Sequence, residues 1–196
     1  SPKDTVERFR KLALQNKVDV ITGGISTGVG LALGPVAEEL KMLWLSWDAT
    51  TQKGVEETMP KPKYAFRSCD NECEAVMASI LTARNWKGKL KTVAGINPDY
   101  SYGRDNWAAF LAVMKRYDMG VTPVVDLWPK LGTTDFTSHV AALQQAKPDL
   151  IFSSFWAADA SIFLKQAHAA GLIPATRLVF TTAGGVPANR IARWNG

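Results

Sequence analysis

Apolar residues along the chain follow two periodicities that alternate almost from end to end. Short runs rich in Val, Ile, Leu and Phe predict buried strands over 18–22, 42–46, 64–67, 90–96, 121–127, 149–154 and 177–181. Apolar positions spaced three and four apart predict helices over 4–16, 70–86, 103–117, 134–146 and 158–170, and a small-residue stretch over 25–34 is expected to lead into a further helix that reaches about Leu40. This alternation predicts an α/β fold with parallel sheets covered by helices on both faces.

Single residues refine these predictions. Pro35 is expected in the first turn of its helix or at a kink, because proline breaks the hydrogen-bond ladder of a helix interior. Pro123 predicts an edge strand. Thr134 or Asp135 is expected to cap the helix that follows, and Gly171 is expected just past a helix end.

The alternation of strands and helices is interrupted once, between the second and third predicted strands. The stretch 47–63 is polar and contains a glycine and two prolines, which predicts a loop. A short strand and an unusually long helix follow it, and we interpret this region as a crossover between two sheets. Residues 1–68 and 69–196 are therefore predicted to belong to two Rossmann-like halves.

Composition and charge exclude several classes of protein. Of the 196 residues, 46% are hydrophobic and 21% are charged, which is typical of a globular protein with a packed core. The formal net charge of +5 is scattered rather than gathered in a stripe, so nucleic acid is not an expected partner. No apolar run approaches the ~20 residues that span a bilayer. The chain begins with Ser1 and a polar helix rather than a signal peptide, and we expect this start to be processed, trimmed or partial.

The two cysteines allow two interpretations. Cys69 and Cys73 are spaced so that they share one face of a helix, which suits either a disulfide or two free thiols. The two histidines, His139 and His168, lie far from them in the sequence. Because a common metal site needs four ligands, no metal is expected.

Candidate functional residues follow the predicted strands, because open α/β sheets bind ligands outside the carboxyl ends of their strands. These positions carry hydroxyls, small residues and large aromatics, with no histidine, cysteine, lysine or arginine. Such a set favours non-covalent binding of a small molecule over catalysis, and no cofactor is expected. The candidate ligand-binding residues are Ser26, Thr27, Trp47, Asp48, Ala49, Thr50, Tyr100, Tyr102, Phe155, Trp156, Thr182 and Ala183.

Two features of this set each have a simpler alternative. The turn at Ser26 and Thr27 opens a helix, so its backbone N–H groups and hydroxyls form a seat for a carboxylate or phosphate, although an ordinary helix N-cap has the same sequence. The aromatic residues after the strands supply flat walls for an organic ligand. Ordinary core packing is the alternative for these aromatics.

Two enzyme motifs occur in part. Gly24, Gly28 and Gly30 follow a strand, and Asp48 lies about 20 residues later, as in a dinucleotide site, but the glycines stand in the order G-x-x-x-G-x-G rather than G-x-G-x-x-G. Residues 24–28 also match G-x-S-x-G, the hydrolase nucleophile motif. A triad needs a histidine, and both histidines fall inside predicted helices, so an enzyme is not expected.

Several stretches, in this order, carry a family resemblance. They are VDVITGGISTGVGLALGPVAEELKMLWLSWDATT, FRSCDNECEAVMA, INPDYSYGRDNWAAF, GTTDFTSHVAALQQAKPDLIFSSFWAADASIFLKQAHAAGL and FTTAGGV. The chain resembles the type I periplasmic binding proteins, specifically the leucine/isoleucine/valine-binding branch. The resemblance implies two α/β lobes, here incomplete at both ends, that close like a flytrap on a small ligand in the cleft. It also implies a location outside the cytoplasm and a partner in the membrane permease of an ABC importer.

The resemblance assigns roles to particular residues. It implies that an α-carboxylate is held around Thr27 and by Thr50, and that an ammonium meets the backbone carbonyl at Asp48. Tyr102, in a Y-G motif, and Trp156 are implied to contact the ligand from the second lobe.

The chain departs from the family's amino-acid binders in two places. Residues 181–184 contain no acidic side chain to pair with an ammonium, and Asp48 replaces an alanine-like position. An unpaired buried ammonium is costly, so either Asp48 compensates or the ligand has no ammonium. An amino acid and an aromatic or aliphatic carboxylate both stay open as ligands. A sensor domain of a receptor or regulator, and a nucleotide-dependent enzyme, are the alternative functions.

Overall fold

The structure is a computed structural model that describes residues 1–47, 50–68 and 71–181, with the backbone alone at 71–74 and 174. The chain forms two compact units, Ser1–Cys73 and Glu74–Gly196. All strand pairs in the described residues are parallel, which confirms the predicted α/β fold.

The first unit is built on a three-stranded sheet of order β1-β2-β3. Its elements are α1 (Pro2–Leu14), β1 (Val20–Thr22), α2 (Thr27–Leu40), β2 (Leu43–Ser46), α3 (Gln52–Thr58) and β3 (Ala65–Arg67). One face of the sheet contributes Ile21, Trp44 and Ala65 to a core that also contains Phe9 and Leu33.

The other face of this sheet is open in the described part of the chain. Val20, Leu43, Leu45 and Phe66 alternate with the core residues and are exposed. The prediction that helices cover both faces is therefore not met by the described residues of the first unit. Helices α1 and α2 pack against each other and supply the buried side.

The second unit is built on a four-stranded sheet of order β5-β4-β6-β7. The long helix α4 (Asn71–Trp86) leads into it. The following elements are β4 (Thr92–Ile96), α5 (Ser101–Arg116), β5 (Thr122–Leu127), α6 (Thr137–Ala146), β6 (Leu150–Ser153), α7 (Ala157–Ala169), α8 (Leu172–Ala175) and β7 (Arg177–Phe180). The central strands β4 and β6 are almost fully buried between two apolar clusters, as expected when helices cover both faces.

The predictions for Pro123 and Gly171 are confirmed. Pro123 lies in β5, an edge strand of the described sheet. The pairing of β4 with β5 shifts register between Val93 and Ala94, so that Val93 pairs with Pro123 and Ala94 with Val125. Gly171 has a left-handed φ of 75° just after α7, as predicted for a glycine that ends a helix.

Two predictions need correction, one is narrowed and one element is new. Residues 52–58 form α3 rather than loop, because Thr51 caps this helix by accepting a hydrogen bond from Gly54 N at 3.2 Å. Pro35 lies in the interior of α2, which excludes the first-turn alternative, and the kink at Pro35 stays a prediction. Phe136, not Thr134 or Asp135, is the N-cap of α6. The short α8 was not predicted.

None of the described helices is both long and apolar enough to cross a membrane.

Candidate functional site

The three strands of the first unit end at the same edge of the sheet. The turn at Ser26 and Thr27, which is predicted to bind an anion, follows β1 at this edge. Because β1, β2 and β3 are parallel, Thr22, Ser46 and Arg67 lie at the same edge of the sheet. The turn after β1 leads directly into α2 at Thr27. No acidic residue lies in the first turn of α2, so the N-terminal end of its dipole is not neutralised from within the helix.

Ser26 occupies a strained backbone conformation at the start of α2. Its φ is 84° and its ψ is 133°, a region that residues with a side chain rarely adopt. Its carbonyl accepts hydrogen bonds from Val29 N at 3.0 Å and Gly30 N at 3.1 Å, which hold this geometry. Its side chain does not cap the helix, so the ordinary N-cap alternative does not account for its hydroxyl. Strain of this kind occurs where surrounding contacts over-determine a functional turn.

The two candidate threonines of this edge are buried. Thr27 is 0% exposed and Thr50 is 1% exposed. The Thr50 hydroxyl lies 3.4 Å from the Ser46 hydroxyl. Thr50 also packs against Gly30 of α2, where an added Cβ would lie 3.0 Å from Thr50 Cβ. The side chain of Thr50 is therefore fixed by β2 on one side and by α2 on the other.

Arg67 also lies at this edge, and it was not among the residues predicted from the sequence. Its Nη1 donates to the backbone carbonyl of Thr50 at 2.5 Å, and its Nη2 donates to the side chain of Gln52. The guanidinium thus brings a positive charge to the edge and holds the segment that carries Thr50. Its position as the last residue of a predicted strand was the signal that could have identified it.

Trp47 provides an aromatic surface at the same edge. Its side chain is 53% exposed, which is unusual for tryptophan. A Cβ placed on Gly23 would lie 3.8 Å from Trp47 Nε1, so the indole lies over the backbone that follows β1. Trp44, by contrast, is a core residue, and its Nε1 donates to the Gly23 carbonyl at 3.1 Å.

The second unit brings three of its four candidate aromatics together at the carboxyl ends of β4 and β6. Trp156 Nε1 donates to the Tyr100 hydroxyl at 3.3 Å. The rings of Tyr100 and Tyr102 stack with centroids 5.8 Å apart. Tyr100 and Trp156 are half-buried, whereas Tyr102 is 3% exposed.

A close backbone contact explains why glycine follows Tyr102. A Cβ on Gly103 would collide with the backbone carbonyl of Pro98. Only a residue without a side chain therefore lets the first turn of α5 approach the end of β4 this closely. The Y-G pair fixes where Tyr102 stands relative to the strand.

Phe155 belongs to the core rather than to this aromatic group. It is 1% exposed and packs edge-on against Phe136 and Phe163, with ring centroids 5.3 Å and 5.6 Å away. The core-packing alternative therefore describes Phe155. Trp156 is the next residue, and it is half-buried with its Nε1 donating to the Tyr100 hydroxyl instead of packing in the core.

Two buried polar residues of the second unit were also missed. Asn97 directly follows β4 and is 0% exposed. Its Oδ1 accepts hydrogen bonds from Ser154 N at 2.9 Å and from the Ser154 hydroxyl at 2.8 Å. Asparagine directly after a buried strand was the available signal.

Four candidates lie outside the described residues: Asp48, Ala49, Thr182 and Ala183. The same holds for Cys69 and for the side chain of Cys73. The two histidines lie in α6 and α7, as predicted. Neither follows a strand, which the hydrolase alternative would require.

Comparison with known proteins places this architecture in a family. A family model described as periplasmic binding protein matches residues 1–192. A Leu/Ile/Val-binding protein homolog 3 from Brucella melitensis is 27% identical over 177 residues, which cover 87% of this chain and 45% of that protein. The chain thus spans about half the length of the relatives it matches.

Solved structures give the same result. A solute binding protein of an ABC transporter from Rhodopseudomonas palustris BisB5, in complex with 3,4-dihydroxy benzoic acid, is 27% identical with a TM-score of 0.78. A second from R. palustris, in complex with 4-hydroxybenzoate, is 25% identical with a TM-score of 0.78. In both comparisons the match covers 91% of this chain and 47% of the other. The chain therefore belongs to the periplasmic binding protein family, and its predicted resemblance to the type I, leucine/isoleucine/valine-binding branch is confirmed.

Proposed function

We propose that this protein is the extracytoplasmic substrate-binding component of an ABC importer and that it binds a small organic carboxylate. Residues 1–68 belong to one lobe and residues 69–196 to the other, and the lobes close on the ligand as the family resemblance implies. The protein catalyses no reaction. Its membrane partner is the importer's permease.

The edge of the first sheet is the observation that carries this proposal. A strained Ser26 begins α2, whose first turn contains no acidic residue, and buried Thr27 and Thr50 lie beside it. The charge of Arg67 is held against the Thr50 carbonyl. Hydroxyls, a helix N-terminus and a nearby cation together favour a carboxylate over a neutral or cationic group.

The aromatic side chains of both units favour a ligand that contains a flat ring. Trp47 is half-exposed at the first edge, and Tyr100, Tyr102 and Trp156 form one group at the second. Aromatic walls suit a ring that stacks on them. The two R. palustris proteins, which are crystallised with hydroxybenzoates, support an aromatic carboxylate as the first candidate.

An amino acid is the competing ligand within the same function. It requires a partner for its ammonium, which Asp48 would supply. The Brucella relative is a Leu/Ile/Val-binding protein homolog, so branched-chain amino acids are included among the ligands to be tested.

A ligand screen on the full-length mature protein tests the proposal. Thermal shift and then isothermal titration are measured with benzoate, 4-hydroxybenzoate, 3,4-dihydroxybenzoate, leucine, isoleucine, valine and NAD. We expect saturable binding of at least one aromatic carboxylate, with a rise in melting temperature that grows with ligand concentration.

The other outcomes separate the alternatives. Binding of the branched amino acids alone would replace the aromatic ligand but keep the solute-binding function. Binding of NAD alone would overturn the proposed function in favour of the nucleotide-dependent enzyme.

A further inference from the structure

Asn97 ties together the ends of three strands in the second unit. Its backbone N–H donates to the Leu127 carbonyl at the end of β5, at 3.1 Å. Its side-chain Oδ1 accepts both hydrogen bonds from Ser154, the residue that follows β6. Two donors on one carbonyl oxygen inside a fully buried site fix the position of Ser154 relative to β4.

The two half-buried aromatics of the candidate site each follow closely after one of the two hydrogen-bonded residues, Asn97 and Ser154. Tyr100 lies three residues after Asn97, and its N–H donates to the Pro98 carbonyl at 2.8 Å. Trp156 lies two residues after Ser154 and begins α7 as its N-cap. The Trp156 indole then donates to the Tyr100 hydroxyl, which closes a ring of contacts through both segments.

The segment between Ser154 and Trp156 has little freedom to absorb a displacement. Phe155 N donates to the Ser153 hydroxyl at 3.2 Å, and the Phe155 ring is locked in the core. A shift of Ser154 is therefore passed to Trp156, the first residue beyond the core. Asn97 Nδ2 is also buried and has no partner among the described residues, so the contacts accepted by Oδ1 are the ones that hold this side chain.

We propose that Asn97 is a positioning residue for the aromatic pair Tyr100 and Trp156, and that it acts through Ser154. The inference rests on the proposed function, since the pair is taken to face the ligand. In this proposal Asn97 acts on the ligand only through these two rings, because its Oδ1 is occupied by both donors of Ser154. Its role is to set the distance and orientation of the two rings before the ligand arrives.

The first test needs no ligand. The indole N–H resonance of Trp156 in the full-length protein is assigned by its loss in W156F and then compared between wild type and N97A. We expect N97A to move this resonance, because the hydrogen bond to Tyr100 is lost or lengthened. L90A, a cavity variant in the other apolar cluster of the same unit and near the opposite end of β4, is the control and should leave the resonance in place. An unmoved resonance in folded N97A would overturn the proposal.

The second test measures affinity for the aromatic carboxylate used as the probe, 4-hydroxybenzoate, in a double-mutant cycle. N97A should weaken binding about fivefold in the wild-type background, the equivalent of about one lost hydrogen bond. In a W156A background, where the positioned ring is absent, N97A should have almost no further effect. Equal losses in both backgrounds would show that Asn97 acts independently of Trp156 and would refute the proposal.

The two tests separate a failure of the proposed function from a failure of the positioning role proposed for Asn97. If wild-type protein binds none of the probes, the proposed function fails, yet the resonance of Trp156 still decides whether Asn97 positions the pair. S154A keeps the backbone donor and loses only the hydroxyl donor, so its effect on the resonance should lie between those of wild type and N97A.

Discussion

The side chain of Thr50 packs directly against Gly30, with Thr50 Cβ and Cγ2 each 3.0 Å from where a Gly30 Cβ would stand. Glycine in a helix interior normally costs stability relative to alanine, by about 1 kcal/mol. Here glycine is required, because a methyl group would displace the segment that carries Thr50. The contact therefore links the sequence of α2 to the geometry of the proposed carboxylate seat.

Gly30→Ala should destabilise the protein despite the better helix propensity of alanine. We expect the free energy of unfolding to fall by about 1–3 kcal/mol, the range for overpacking a filled site. Urea denaturation followed by circular dichroism measures this. Gly28→Ala in the same helix is the control, because the nearest atom to its Cβ, Ser26 Oγ, lies 4.0 Å away. A stable Gly30→Ala with unchanged ligand affinity would contradict the packing described.

Ser26→Gly should raise stability while lowering affinity. Glycine relieves the positive φ of Ser26, which costs about 1–3 kcal/mol, although glycine's larger unfolded-state entropy offsets part of this gain. Ser26→Ala keeps the strain and loses only the hydroxyl. Both variants should bind the carboxylate more weakly, but only the glycine variant should melt at a higher temperature. Thermal unfolding and titration of the two variants side by side test this pair of outcomes.

Thr50→Ala and Tyr102→Ala should each weaken ligand binding by more than about 1 kcal/mol, since each leaves a buried polar group of the ligand unpaired. Isothermal titration provides the measurement. Thr50→Ser retains the hydroxyl and should bind within about 0.5 kcal/mol of wild type. Affinities in both alanine variants equal to that of wild type would remove Thr50 and Tyr102 from the site.

Asp149 should make the stability of the second unit depend on pH. Backbone N–H groups of Lys91 and Thr92 donate to its Oδ2 at 2.7 and 2.9 Å and hold the pKa of the carboxyl below its usual value, with help from the Thr92 hydroxyl and the charge of Arg177, while burial opposes them. Because the folded pKa is lowered, the stabilisation is complete above the unfolded value of about 3.9 and disappears as pH falls through the folded pKa.

The variant Asp149→Asn should therefore be less stable than wild type at neutral pH, and the difference should shrink below about pH 4. Urea midpoints between neutral and acidic pH measure it. Asp126→Asn removes an exposed carboxylate that has no hydrogen bond to another described residue, and it controls for the change in net charge. If wild type stayed more stable than Asp149→Asn by the same amount down to the lowest pH measured, the role assigned to Asp149 would be refuted.

Strand periodicity was enough to predict which ends of the sheets carry the candidate residues. Parallel strands share one carboxyl edge, so Tyr100 and Trp156, from different strands, could be expected to meet. Periodicity could not separate Phe155 from Trp156, because the direction in which the chain leaves β6 depends on how Phe155 packs against Phe136 and Phe163.

The misses arose from one local helix cap and from contacts between distant parts of the chain. Helix α3 contains Gly54 and was therefore interpreted as loop, but Thr51 caps it and a Cβ on Gly54 would lie 2.8 Å from Leu31 of α2. Arg67 was overlooked because its role depends on reaching the Thr50 carbonyl, 17 residues away. Threonine is a common N-cap, so the cap at Thr51 was available as a local signal. Local propensity contains no information about the contact of Gly54 with Leu31 or of Arg67 with Thr50.

Pro123 and the register shift beside it affect how the edge of the second sheet behaves toward other chains. An exposed edge strand offers unpaired N–H and C=O groups on which a foreign strand can grow into an aggregate. Pro123 has no N–H to offer, and the shift from Val93–Pro123 to Ala94–Val125 leaves Val124 without a partner in the ladder. Among the described residues, the missing N–H of Pro123 consequently makes this margin of β5 a poorer template for intermolecular β-structure.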